Sequence, residues 1–232
     1  MKVLLIVPAY NEAANIEKVV RTIQSAGYDY VVVNDGSKDD TLDILQRNGF
    51  NYLNLSKNLG IGGAVQAGHR YALEHGYDVD IQFDGDGQHD VGYVDTLLKG
   101  IEEGSNLVIG SRFVKETEGF QSTFMRRVGI KWLEKMIHLF TGMTVTDATS
   151  GFRACDRRTI ELFCHYYPSD YPEPESIVYA CKSGMKVSEV PVIMHERQGG
   201  VSSIGALSGA YYMVKVSLAI AMVGFARHGR SK

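Results

Sequence analysis

Residues 84–90, DGDGQHD, place Asp84, Asp86 and Asp90 within seven positions, directly after a stretch carrying Ile81 and Phe83. Carboxylates this close repel one another unless a cation, a shared proton or bulk water lies among them. Four kinds of site meet that condition. A helix–loop–helix calcium site would use Asp84, Asp86 and Gln88 as alternate ligands. His89 stands where such a loop needs glycine, Asp95 where it needs glutamate, and a strand precedes it, so this reading is excluded. A phosphoryl-transfer site would use Asp84 as nucleophile and Asp86 as acid–base; the strand context suits it, but Gln88 and the lack of a later acidic pair do not. A solvated acidic turn would not need carboxylates aligned at one strand end. In the fourth reading an Asp-x-Asp site holds a divalent cation, Mg²⁺ or Mn²⁺, by oxygen ligands against a diphosphate, and Gly85 and Gly87 clear space for its approach. The cation there neutralises a departing nucleoside diphosphate.

The elements that must position these groups alternate. Residues 3–7, 30–33, 52–55, 79–83 and 107–109 are aliphatic or β-branched runs of strand length. Between them, residues 12–26, 39–48, 62–75 and 93–103 carry apolar side chains at helical spacing. The alternation predicts an α/β fold, a parallel sheet covered by helices on both faces, with ligands at the carboxyl ends of the strands. The polar clusters PAYNE, NDGS, DGDGQHD and GSR all follow strands. Further along, helices are expected over 124–140, 160–166, 175–183 and 206–226, and a strand over 185–193. Residues 1–205 read as one domain and 206–232 as an apolar, basic-ended C-terminal helix.

Composition narrows the class. The chain has 232 residues, 44% apolar, enough for a core without disulfide or metal staples. Cys155, Cys164 and Cys181 lack Cys-x-x-Cys spacing, so reduced thiols in a cytosolic protein are expected. A net charge of −3 argues against a nucleic-acid partner. The first strand–helix turn, PAYNEAAN, has no glycine and so no dinucleotide fingerprint, and GIGGAVQAG (60–68) lacks the Lys-Ser/Thr of a phosphate-binding loop. That glycine run either starts a helix beneath a tight turn or lets backbone near a nucleotide. Asp35, after the second strand, either contacts a base or ribose or caps the helix beginning near Asp39.

Taken in order, PAYNE, VNDGS, NLGIGGA, DGDGQH, GSR and DATSGFRA resemble the inverting family 2 glycosyltransferases of the GT-A fold, and most nearly their polyprenyl-phosphate sugar synthases. The resemblance covers residues 1 to 205. It implies a Rossmann-like, mostly parallel sheet, a nucleotide-sugar donor, Mg²⁺ or Mn²⁺, and inversion at the anomeric carbon. It places Pro8, Ala9, Tyr10, Glu12, Asp35 and Gly63 around the nucleotide. Asp84, Gly85 and Asp86 then face the donor sugar and metal, and Gln88 completes the metal shell. Arg112 reaches a donor or acceptor phosphate, and Arg197, with Ser202 nearby, closes over the diphosphate. The family often carries alanine or proline in the loop where this chain has Gly85 and Gly87.

A hydroxyl acceptor would need a base, for which Glu175 or Asp147 is the candidate. A polyprenyl phosphate is already ionised and needs cations instead. Arg126, Arg127, Lys131 and Lys135, on the helix FMRRVGIKWLEKMIHLF, and Arg153 are the expected acceptor-phosphate ligands, although Arg153 could equally pair with a structural carboxylate. That helix also carries Phe124, Val128, Trp132, Met136 and Phe140 beside its cations, which suits an anionic membrane surface. The last helix is interrupted by Lys215 and ends in Arg227, His228, Arg230 and Lys232. Peripheral attachment at the cytoplasmic, inner face of the membrane is expected, with a small membrane subunit, self-association or docking on the soluble core as other ways to cover its apolar face.

Overall fold

A computed structural model describes residues 1–114, 124–194 and 206–226. Its sheet has seven strands in the order β3-β2-β1-β4-β6-β5-β7. They are β1 (Val3–Ala9), β2 (Asp29–Asn34), β3 (Tyr52–Asn54), β4 (Val79–Gln82), β5 (Leu107–Ser111), β6 (Arg153–Asp156) and β7 (Val187–Pro191). Every pairing is parallel except those of β6, which runs antiparallel to both β4 and β5.

The continuous apolar runs follow from burial on both faces. Leu4 and Ile6 of β1 enter one core with Val31, Val33, Leu107 and Ile109; Leu5, Val7 and Ala9 enter the other with Val32, Val79, Ile81 and Val108. Alternate residues point to opposite faces, so a strand covered on both sides, such as β1, buries apolar side chains in both directions. Helices α1 (Ile16–Ser25), α2 (Thr41–Arg47) and α4 (Val94–Glu102) cover the second core. Helices α3 (Gly60–Glu74), α5 (Phe124–Thr141), α6 (Arg157–His165), α7 (Pro172–Lys182) and α8 (Ala206–Phe225) cover the first.

Two features depart from the expected pattern. Strand β6 falls where no strand was expected, since Arg-Ala-Cys-Asp has neither alternation nor a β-branched residue. The core side of α5 is Ile130, Leu133 and Ile137, and α8 adds Val216, Ile220 and Val223 to that core. The two helices lie side by side and parallel: a side chain at Gly129 would meet Met213, Trp132 Nε1 donates to Ser217 Oγ at 2.9 Å, and Phe140 packs edge-on against Phe225. The C-terminal helix thus docks on the globular body along its inner side. Lys215, which interrupts it, pairs with Asp170.

The glycine run has a packing role at its start. Gly62 donates its N–H to Ser169 O at 3.0 Å, and a Cβ there would lie 1.8 Å from the Pro168 carbonyl oxygen. Gly62→Ala should therefore cost roughly 1–3 kcal/mol by overpacking, read as a lower urea midpoint. An unchanged midpoint would show that the 168–169 turn is not held against α3.

Candidate active site

The site forms at the carboxyl edge of β1, β2, β4 and β5. Pro8 and Ala9 end β1, with Tyr10 exposed and Glu12 half-buried beyond them. Asp35, just past β2, is buried, and its two oxygens accept the N–H groups of Leu59 at 2.7 Å and Gly60 at 3.0 Å. Asp35 thus secures the start of α3, a different helix from the one near Asp39 that the sequence offered as its capping target. Burial raises its pKa, and the two backbone hydrogen bonds partly offset that. A Cβ on Gly63 would meet the Leu59 side chain at 2.5 Å, so this glycine too is explained by packing.

After β4, the chain turns through Gly87, at a φ of +77° suited to glycine. Asp84 is partly exposed, whereas Asp86 is buried and accepts the Gln88 N–H at 3.0 Å. Gln82 Nε2 donates to Asp84 Oδ1 at 3.0 Å, and the Gln82 amide oxygen is buried with no protein partner among the described residues. The Asp84 N–H donates to His89 Nδ1 at 2.9 Å, and His89 Nε2 lies 3.6 Å from Asp84 Oδ2. The imidazole stacks on Phe152 with centroids 4.6 Å apart and meets the edge of Phe83. Burial lowers its pKa, against the pull of Asp84 and Asp86.

Strand β6 brings the DATSGFRA segment to the same place. Gln82 pairs in register with Arg153, so the residues before β6 lie beside the acidic tip. A Cβ on Gly151 would come within 2.7 Å of Gln82 Nε2 and 3.1 Å of Asp84 Oδ2; only glycine leaves that carboxylate its place. Arg153 is buried. It donates to the carbonyls of Ser150, Ala148 and Glu173 and to Ser176 Oγ. Of the two roles expected for it, acceptor-phosphate ligand or partner of a structural carboxylate, the structure bears on the second: its donors bind these oxygens, tying the loop before β6 to the start of α7, and its charge acts on the Glu173 carboxylate.

Asp147 is corrected as well. It is fully buried, and its two oxygens accept Arg112 Nε and Nη2, each at 2.7 Å. A carboxylate held this way orients an arginine and has no route to an acceptor hydroxyl. Glu175 accepts from Tyr166 Oη at 2.5 Å. The acid of α7 that senses the tip is Glu173, absent from the sequence-based candidates. Burial raises its pKa, Arg153 lowers it, and the negative charge of Asp84 raises it further. Lys131 and Lys135 are exposed on α5, whereas the side chains of Arg126 and Arg127 lie outside the described residues, as do Arg197 and Ser202.

A sequence profile described as Glycosyl transferase family 2 matches residues 4–163. The chain belongs to that family. It is 31% identical to the UDP-N-acetylglucosamine–dolichyl-phosphate N-acetylglucosaminyltransferase of Methanococcus voltae, over 82% of this chain and 84% of that one. It is 30% identical to the undecaprenyl-phosphate mannosyltransferase of Micrococcus luteus, over 88% of each. Among solved structures it resembles glucosyl-3-phosphoglycerate synthase of Mycobacterium tuberculosis in complex with Mn²⁺, UDP-glucose and phosphoglyceric acid. The TM-score is 0.72 at 17% identity, covering 98% of this chain and 81% of that one. The fold is GT-A, and the chain is a nucleotide-sugar-dependent glycosyltransferase.

In this glycosyltransferase Asp84, Asp86 and Gln88 supply only oxygen donors, the set that Mg²⁺ and Mn²⁺ favour. His69, Asp80 and Cys155 also cluster within 4.8 Å, but they lie inside the protein with nitrogen and sulfur among their donors, away from the strand ends.

Two outcomes follow. Asp147→Asn removes the buried carboxylate that is the countercharge of the half-buried Arg112 and should destabilise the protein by about 3 kcal/mol; activity lost at unchanged stability would point back to a base. Glu173 is raised in the folded state, so it weakens stability as pH climbs through and above its unfolded value of 4.5. Glu173→Gln should therefore be more stable than wild type at pH 7, the gain vanishing on acidification below that value. Equal melting temperatures across the range would contradict the raised carboxyl of this acid.

Proposed function

We propose that this glycosyltransferase moves a hexose or N-acetylhexosamine from a nucleotide sugar to a polyprenyl phosphate, with inversion. The observation carrying this reading is the oxygen-only acidic tip, Asp84 to Gln88, at the carboxyl edge of the sheet. An acceptor phosphate oxygen attacks the anomeric carbon as the bond to the diphosphate breaks, and the electron pair leaves with the nucleoside diphosphate. Asp84, Asp86 and Gln88 would hold Mg²⁺ or Mn²⁺, which supplies Lewis-acid charge to the leaving diphosphate. Asp84 would face the sugar, Arg112 presents the charge that Asp147 orients, and Arg197 with Ser202 would serve as donor ligands. Pro8, Ala9, Tyr10 and Glu12 border the nucleotide. A phosphate acceptor is already ionised near neutral pH, so no base is required. Relatives named for dolichyl, polyprenol and undecaprenyl phosphates support that acceptor class.

The outer surface supports it too. No helix among the described residues is long and apolar enough to cross a membrane. Yet α8 turns Tyr211, Val214, Leu218, Met222 and Phe225 outward, the last two 69% and 80% exposed. On the neighbouring α5, Trp132 and Leu139 are exposed beside Lys131 and Lys135. An apolar stripe with aromatics and a cationic fringe fits the headgroup layer of an anionic bilayer. The enzyme would bind there peripherally, on the cytoplasmic side where nucleotide sugars are available.

A second reading, a glycan hydroxyl as acceptor, is favoured by Glu173, whose carboxyl, raised by burial and by the charge of Asp84, suits a base. The deciding assay incubates the enzyme with UDP-, GDP- and dTDP-sugars, Mg²⁺ or Mn²⁺, and undecaprenyl phosphate. A lipid product stable to mild base and cleaved by mild acid is expected; transfer only to glycan hydroxyls would remove the lipid-phosphate reading. Under that reading Glu173→Gln keeps most of the rate, whereas loss of a catalytic base costs on the order of 10²–10⁴-fold. Leu218→Asp with Met222→Asp should abolish flotation with phosphatidylglycerol vesicles and leave nucleotide binding intact. Unchanged flotation would assign the stripe to a protein partner or a second copy.

A further inference from the structure

We propose that His89 is a positioning residue: its imidazole clasps Asp84 at backbone and carboxylate together and so fixes where the cation and sugar are met. The proposal rests on the reading of Asp84 and Asp86 given above. Three observations carry it.

Nδ1 accepts the Asp84 N–H at 2.9 Å, so that nitrogen bears no proton and the ring's N–H is on Nε2. Nε2 stands 3.6 Å from Asp84 Oδ2. That distance is too long for a formed hydrogen bond and short enough for attraction between the N–H dipole and the carboxylate. Gln82 holds the other oxygen, Oδ1, at 3.0 Å, so the carboxylate is gripped from two sides. Finally, the ring cannot swing away. It lies at 17° to Phe152, with Phe83 at its edge, and both phenylalanines are buried.

The chemistry explains why histidine serves here. A lysine or arginine in its place would present a full positive charge to Asp84 and compete with the cation. A serine or asparagine would be too short to reach backbone and carboxylate at once. Imidazole offers an acceptor and a donor on opposite sides of a rigid ring, without adding net charge. The six residues from Asp84 to His89 thereby close into a small ring of chain, turned at Gly87. Partners that orient a metal-ligating side chain typically alter metal affinity by about 10–100-fold when removed.

The test compares Mn²⁺ binding, followed by electron paramagnetic resonance, for the full chain with UDP, GDP or dTDP present. His89→Phe keeps the stack on Phe152 and loses both nitrogens; His89→Asn can still accept the Asp84 N–H. The expected result is Mn²⁺ affinity lowered at least fivefold in His89→Phe, with His89→Asn in between and metal-free nucleotide binding unchanged. Wild-type Mn²⁺ affinity in His89→Phe overturns the proposal, and so does an equal loss of metal-free nucleotide binding, which would mean general collapse of the pocket. Should His89→Phe not fold, His89→Asn decides: a severalfold loss of Mn²⁺ affinity supports the clasp, and unchanged affinity refutes it. If the wild type takes up no Mn²⁺ with any of the three nucleotides, the cation reading of Asp84 and Asp86 fails with it.

Discussion

Strand β6 runs against its neighbours, so it begins where β4 and β5 end. In a wholly parallel sheet, a segment entering the strand after β5 would arrive at the opposite edge, far from the carboxyl ends. Reversing one strand puts residues 147–152 among the groups that follow β4 and β5, and each then has a local task. Asp147 fixes Arg112, Ser150 Oγ donates to Gly110 O at 2.6 Å, Gly151 leaves room for Asp84, and Phe152 lies beneath His89. Arg153 closes the arrangement by donating to three backbone carbonyls and a hydroxyl. Hydrogen bonds from a charged donor contribute about 1.5–3 kcal/mol each, and carbonyls buried without partners would cost a comparable amount. This arginine satisfies the carbonyls of the loop that makes the reversal possible.

Much of this was legible in the chain itself. Strands covered on both faces favour unbroken apolar runs, and β1, β2 and β5 announced themselves that way, whereas β4 carries the buried Asp80 and Gln82. The acidic tip was legible for a related reason: Asp84, Gly85 and Asp86 directly after Phe83 make sense only where a strand leaves the core. Strand β6 was not legible, since Arg153 and Asp156 bound two small residues and its pairing is decided by strands on either side. Asp147 looked like a base because no sequence pattern reports that Arg112, thirty-five positions earlier, engages both its oxygens. His89 entered only as a mismatch to a calcium loop; its position five residues after Asp84 was the signal that the loop could close on itself.

The choice between Glu173 and Glu175 shows a different limit. Two residues along a helix rotate a side chain by about 200°, so these acids face nearly opposite ways. Which one feels the charge of Asp84 depends on the phase at which α7 starts. Tyr171 sets that phase: it adopts a left-handed backbone conformation at φ 36°, uncommon for a bulky residue, immediately before Pro172 begins the helix. A composition of alternating proline and glutamate gives no hint of that angle.

What stabilises Tyr171 there links the two ends of the enzyme. Its ring packs edge-on against Tyr212 of α8, with centroids 4.6 Å apart, and the adjacent Asp170 pairs with Lys215. From the other side, Ser169 accepts the Gly62 N–H, which anchors the turn to the first residues of α3, themselves held by Asp35. One turn, residues 168–171, therefore touches the helix that borders the proposed nucleotide site and the helix that carries the outward apolar stripe. It also sets where Glu173 faces. Displacing α8 would break contacts that hold this strained turn, and the strain would be released into α3 and α7 together. Under the proposed function the donor would arrive from water and the acceptor from lipid, and these contacts would fix the two approaches relative to each other without a separate domain.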